Sequence, residues 1–315
     1  LVACAAPADE KSGSDEPTPE SRPTLEPPPD GEGFQLSLTG SAPAYSEIWI
    51  CEVYKIPIEE MTAVQWVEFN QNGGTHHMTL SALGLNGEST LDYGRYDCND
   101  LYGDESVMAD QIMFFGNQGD AQGEMSLPAG TVANLPPEID ILHEVHYVNP
   151  TDEEVEIYSE VNAWSIDQTD VEEMIWGGNV RDETIEIPPE STHTEWSRCV
   201  FNEDVEVLFL ASHTHGLGSR FTIAPFDGES TGEIMFDNED WESPMITQYD
   251  PPLVVSAGQG FEWACTWDNP HDKTINYGST SEDEMCNLSV VFTPFSMTAA
   301  CEVVETSDGV LWEPN

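Results

Sequence analysis

The sequence predicts an all-β protein: two tandem antiparallel β-sandwich, jelly-roll-like domains behind a disordered N-terminal tail. Three observations carry this expectation. Short segments in which apolar and polar residues alternate recur along the chain, separated by Gly, Pro, Asn and Asp, as half-buried strands and their turns require. Helical periodicity is sustained nowhere, and Ser165 to Met174 is the one stretch compatible with a short turn of helix. The chain also repeats itself in outline, since a close histidine pair is followed about seventy residues later by a further donor, twice.

The tail comes first. Leu1-Val2-Ala3-Cys4 has the form of a bacterial lipobox, which makes Cys4 the expected lipidation site and implies a preceding signal peptide. From there to Gly33 the chain has seven prolines, eight acidic residues and no aromatic residue. Such a segment buries too little apolar surface to offset its ordering entropy, and its prolines keep it extended as a tether. Residues 1–33 are therefore read as lipobox and disordered tether.

Order is expected from Phe34. Phe34 to Leu38, Glu47 to Tyr54, Val64 to Phe69, Ile141 to Val148, Val155 to Val161, Val205 to Leu210 and Leu288 to Phe292 all read as strands. Many short strands at this spacing favour antiparallel sandwiches or jelly rolls. The acidic, irregular stretch Asp167 to Glu173 is the expected boundary, giving domains over 34–168 and 169–315.

Charge narrows the partners. Eight Lys and Arg stand against 60 Asp and Glu, a formal charge of −52, which argues against nucleic acid or an anionic lipid surface as a partner. The balance fits a solvated surface adapted to salty surroundings, or a collector of cations. No apolar run is long enough to cross a bilayer as a helix, so contact with a membrane is expected only through the lipid on Cys4, outside the cytoplasm. Cys51, Cys98, Cys199, Cys265, Cys286 and Cys301 form no CxxC pair. Their wide spacing suggests three disulfides and an oxidising compartment, with the connectivity left open.

The histidines carry the chemistry. His213-Thr214-His215 ends the strand Val205 to Ala211, where residues i and i+2 share a face, so two imidazoles stand side by side. Met285 follows His215 by 70 residues. Two imidazoles and a soft thioether suit copper, Cu(I) above all, whereas zinc more often takes a thiolate or carboxylate third ligand. In the first half His76 and His77 are adjacent and would face opposite ways in a regular strand, so both reach one metal only if the chain bends, as Gly73-Gly74 permits. His146 follows His77 by 69 residues and completes an all-imidazole set. His143, His193 and His271 are assigned no role at a metal; His143 is read as solvated or structural.

Gly74-Thr-His-His-Met78, Glu144-Val-His-Tyr147, His213-Thr-His-Gly-Leu-Gly218 and Glu284-Met-Cys-Asn287 together resemble the copper type II, ascorbate-dependent monooxygenases. The likeness runs from about Ile48 to Cys301. It implies two domains with one copper each, facing one another across a solvent-filled cleft. By the same resemblance His76, His77 and His146 hold an electron-transfer copper, and His213, His215 and Met285 hold the copper that binds O2. Ascorbate would be the reductant, and a substrate C–H bond would become an alcohol. The resemblance also implies the disulfides Cys51–Cys98, Cys199–Cys301 and Cys265–Cys286.

Two positions depart from the pattern. Peptide-amidating members of this family place an arginine two residues before the HTH and a tyrosine four residues after the metal-binding methionine, where they hold the substrate carboxylate. Here these positions are Ala211 and Ser289. Asn287 is kept as a candidate substrate contact. The expectation is a monomeric, copper-dependent monooxygenase acting on a small organic substrate other than a peptidylglycine. A copper-binding lipoprotein without turnover is the alternative, and an adhesion-type sandwich with incidental histidines is a third.

Overall fold

The computed structural model describes residues 24–55, 60–84, 91–102, 111–137, 139–241, 246–278, 282–296 and 298–310. Cys4 and the lipobox lie outside them. Over the described residues the chain is built almost wholly of antiparallel strands, and each predicted strand is present.

Alternation explains the layers. In Gly33–Ala42 the side chains of Phe34, Leu36 and Leu38 are buried, and they meet Met78, Leu80, Phe115, Ile141, Val145 and Val161 in one core. One sheet of this first pair runs in the order Gly33–Ala42, Val155–Ile166, Thr62–Gln71, Thr131–Leu135. The other runs Gly94–Asp97, Ser46–Lys55, Asp140–Asn149, Thr75–Leu83, Gln111–Gln118. Burying the alternate, apolar residues of one sheet against those of the other is the usual solution for packed antiparallel sheets.

A second core gathers Phe201, Leu210, Trp263, Trp267 and Phe292. It lies among a sheet ordered Trp176–Arg181, Asn287–Thr293, Val205–His213, Ile246–Val255 and a six-stranded sheet centred on Ser191–Phe201 and Gly260–Asn269. Glu173–Met174 still pairs, in parallel, with Thr131 and Val132. Glu173 and Met174 are thus still part of the first sheet pair.

Helix is minimal. The stretch Ser165 to Met174 contributes one 3-10 turn, Gln168–Asp170, opened by Asp167, whose carboxylate accepts from the Thr169 N–H. The five-residue helix Cys98–Tyr102 carries no periodic signal long enough to read from sequence. The cysteines pair as Cys51–Cys98, Cys199–Cys301 and Cys265–Cys286, the pairs the resemblance implies.

Candidate metal centre

The first histidine set is built by strand pairing and one bulge. His146, on Asp140–Asn149, lies directly opposite His77 on Thr75–Leu83. The register between these strands slips at Thr75/His77, so His76 is the extra residue of a β-bulge. A bulge re-aims one side chain without breaking the strand. This answers how adjacent histidines reach one point, and Gly74, at φ +90°, supplies the bend immediately before it. Ligand atoms of His76, His77 and His146 all lie within 4.8 Å of one another.

Two carboxylates orient this set. His77 donates from Nε2 to Glu144 Oε1 (2.5 Å), and His146 donates from Nε2 to Glu47 Oε1 (2.7 Å). In both rings Nδ1 is then the atom left for a metal, and Nδ1 of His77 is buried without a protein partner. Glu144 also accepts from Trp49 Nε1 (2.7 Å), Thr79 Oγ1 (3.1 Å) and the Tyr102 hydroxyl. Burial alone would raise the Glu144 carboxyl, but these donors, His77 foremost, outweigh it and hold it at about 2. Burial lowers His146, with the hydrogen bond to Glu47 opposing.

The second set sits on the other sheet pair. Val205–His213 pairs with Asn287–Thr293, placing His213 opposite Asn287. Met285 comes two residues before Asn287. The strand ends at His213, so His215 is not placed by strand alternation as the HxH pattern suggested. It is placed by a turn in which Gly218 N–H donates to the His215 carbonyl (3.0 Å). A Cβ on Gly218 would stand 2.2 Å from Thr214 Oγ1, so the turn requires glycine there.

Glu284 fastens that turn to Met285. Fully buried, it accepts from the backbone N–H of His215 (2.9 Å) and Leu217 (2.7 Å) and from Trp267 Nε1 (3.0 Å). Burial pushes its carboxyl up to about 7 against the pull of these donors. His215 donates Nδ1–H to the Asp283 carbonyl (3.0 Å), which leaves its Nε2 for a metal, the opposite choice to His77. Burial holds His213 well below the ordinary imidazole range and lowers His215 as well. Both therefore stay in the neutral form that ligates.

One cavity of about 240 Å³ is lined by all six of these residues, together with Asn179, Arg181, Asn287 and Ser289. The ring centroids of His77 and His213 are 6.2 Å apart, and Trp241 stands edge-on to His76 at 4.9 Å, so side chains of both sheet pairs close on the same space. The donor chemistry fits copper: three imidazoles on one side, two imidazoles and a thioether on the other, with His77 and Met285 buried and the other four half-buried. Asn287 lines the cavity but gives its Nδ2–H to Met285 Sδ (3.1 Å), leaving Oδ1 buried and unpartnered.

His143 is fully buried and bonded to Ser159 Oγ (3.0 Å), a structural residue rather than a solvated one. Sequence reasoning missed Glu47, Trp49, Tyr102, Arg181, Trp241 and the role of Glu284. Glu144 was legible in principle, being two residues before His146 on the same strand face. Trp241 lies outside any alternating segment and gave no signal.

The all-β chain thus brings a histidine triad, whose donor atoms could hold a metal ion, and a His–His–Met set to one cavity. Residues 172–313 match the family model described as copper type II ascorbate-dependent monooxygenase, C-terminal domain. Residues 172–313 are thus similar to the C-terminal domain of the copper type II ascorbate-dependent monooxygenase family, and the match supports that family for the chain. That family uses copper and ascorbate for monooxygenation.

Proposed function

We propose that this chain binds two coppers, one at His76, His77 and His146 and one at His213, His215 and Met285, and uses O2 and ascorbate to hydroxylate a C–H bond of a small organic substrate. The observation that carries the reading is the convergence of both donor sets on one cavity, each with ring tautomers fixed by a buried or backbone acceptor. Copper, when bound, supplies one-electron chemistry and O2 activation. The rest is work for the protein. Glu144 and Glu47 hold Nε2–H of His77 and His146, so their Nδ1 lone pairs face the cavity. The Asp283 carbonyl holds Nδ1–H of His215, so Nε2 faces it instead. Glu284 keeps the His215 turn against Met285, whose thioether needs no deprotonation. Trp49, Tyr102 and Trp241 wall the cavity and limit water.

Ala211 and Ser289 leave no carboxylate clamp at the positions used by peptide-amidating relatives, so a C-terminally glycine-extended peptide is expected to give no product. Three disulfides and the Cys4 motif favour an extracytoplasmic, lipid-anchored location. The decisive experiment combines metal analysis with turnover. Two coppers per chain should fall to one in Met285→Ala and in His213→Ala, and O2 uptake in a substrate screen should require ascorbate and both coppers. Copper binding without any substrate-dependent O2 uptake would instead mark a carrier.

A further inference from the structure

Basic residues are scarce in this chain, eight Lys and Arg against 60 Asp and Glu. Most described arginines are neutralised on the spot: Arg95 meets Glu52, Arg198 meets Glu262 and Glu305, and Arg220 meets Asp237, each at 2.7 Å. Arg181 is different. It has no carboxylate partner among the described residues, and it lines the cavity shared by the two donor sets. Its neighbour Asp182 is buried and committed elsewhere, accepting from Ser197 Oγ, Thr184 Oγ1 and the Thr184 N–H. A half-buried guanidinium without a counter-charge has given up hydration and gained little in return.

Strand pairing fixes where this cation stands. Trp176–Arg181, Asn287–Thr293 and Val205–His213 are neighbours in one sheet. Arg181 pairs with Asn287, and Asn287 with His213. Residues directly opposite on antiparallel strands share a face, so the row reads cation, amide, metal donor. With strands about 4.8 Å apart, the Arg181 backbone lies roughly 10 Å from that of His213, within the reach of a long side chain and a small bound molecule. The next row is Asn179, Ser289 and Ala211, with the Ser289 hydroxyl donating to Asn179 Oδ1 (2.5 Å). Arg181 is therefore two strands from Ala211, at neither position where peptide-amidating relatives hold a carboxylate. The carboxylates that line the cavity, Glu47 and Glu144, belong to the first sheet pair and are engaged by His146 and His77.

We propose that Arg181 anchors an anion-binding subsite in this cavity, which takes a small planar monoanion presenting two oxygens to the guanidinium. The fork of parallel N–H donors matches such a group bidentately. A cavity of about 240 Å³ suits a small molecule, so the expectation for glycine-extended peptides is unchanged. Two sources offer this anion under the monooxygenase reading, on which the proposal rests: a substrate carboxylate, and ascorbate, whose ene-diol is singly ionised at neutral pH.

The test uses the full chain loaded with copper and reduced under argon, with fluoroacetate as probe and 19F NMR as readout. Saturable binding with a Kd on the order of 1 mM is expected. Fluoroacetamide, of the same shape without the charge, should bind at least about tenfold more weakly. Arg181→Gln should weaken fluoroacetate at least about tenfold while the copper count stays at that of the parent. Arg220→Gln makes the same charge change at an exposed ion pair and should leave the probe's affinity as it is. If Arg181→Gln does not fold, Asn179→Asp sets a competing carboxylate on the same strand face and should give the same loss. Stopped-flow reduction of the Cu(II) protein by ascorbate separates the two sources. Arg181→Gln slows that reduction at least about tenfold if ascorbate is the occupant, and leaves it unchanged if the substrate is. Unchanged fluoroacetate affinity in the folded variant, equal affinity for fluoroacetamide, or no saturable binding overturns the proposal. Copper counts report separately on the reading beneath it, because the probe binds without turnover.

Discussion

Glu144→Gln isolates what a buried carboxylate does for the His77 ring. The carboxylate accepts four hydrogen bonds, from His77, Trp49, Thr79 and Tyr102. Glutamine keeps the shape. Its carbonyl oxygen can serve the two N–H donors, and its amide can donate to the two hydroxyls, which accept as readily as they donate. No group need be left unsatisfied, so the fold should survive. The charge is lost, however. A hydrogen bond to a charged acceptor contributes about 1 kcal/mol more than a neutral one, so two N–H bonds give about 2 kcal/mol. If that energy is what fixes the His77 tautomer and strengthens its Nδ1, copper affinity at the triad should fall by roughly thirtyfold. This lies within the ~10–100-fold typical for residues that orient metal ligands. The measurement is Cu(I) competition against a chromophoric chelator in a His213→Ala background, which leaves the triad as the remaining site. Glu47→Gln is the internal comparison. Its side chain is 48% exposed against 8% for Glu144, so water replaces much of what is removed, and the loss should stay below about threefold. Equal affinities for the parent and Glu144→Gln would refute the reasoning.

Other expectations concern stability. Replacing Cys265 and Cys286 by serine opens a 21-residue loop and should cost about 3 kcal/mol in chemical denaturation, against about 5 kcal/mol for the 102-residue loop of Cys199–Cys301. The smaller loss should carry the larger effect on copper, because Cys286 adjoins Met285; two coppers retained by the Cys265/Cys286 variant would contradict this. His143 gives a pH signature. Burial lowers it to about 3, so below its unfolded value of 6.5 the unfolded chain takes up a proton that the native chain refuses. Stability from this residue is complete above pH 6.5 and falls by about 1.4 kcal/mol per unit on acidification towards 3. Denaturation of the copper-free protein at pH 7 and pH 4.5 should show that slope reduced by this amount in His143→Gln. An unchanged slope would show that His143 is not the group responsible.

The strands were legible because alternation is a local signal and each buried face is apolar. Phe34, Leu36 and Leu38 declare their core face without reference to anything distant. The donors were legible as types and spacings, since a pair of histidines and a donor some seventy residues on is what two neighbouring antiparallel strands produce. What sequence could not supply was the manner of approach. The bulge at His76 and the turn carrying His215 each depend on one residue being out of step with its strand, which alternation cannot reveal. Nor could it show that Trp241 and His76, from different sheet pairs, would meet.

Each donor set joins residues about seventy positions apart through a single strand-to-strand alignment, His77 opposite His146 and His213 opposite Asn287. Sliding either pair by one residue would turn a donor towards the far face of the sheet. A metal bound at these sites therefore acts as a proofreader of β-pairing. It rewards the one alignment in which all donors agree and withholds its binding energy from every slipped alternative. For a fold dominated by distant pairings, which are slow to find, acquiring the metal is then the last step of assembly as well as the first step of chemistry.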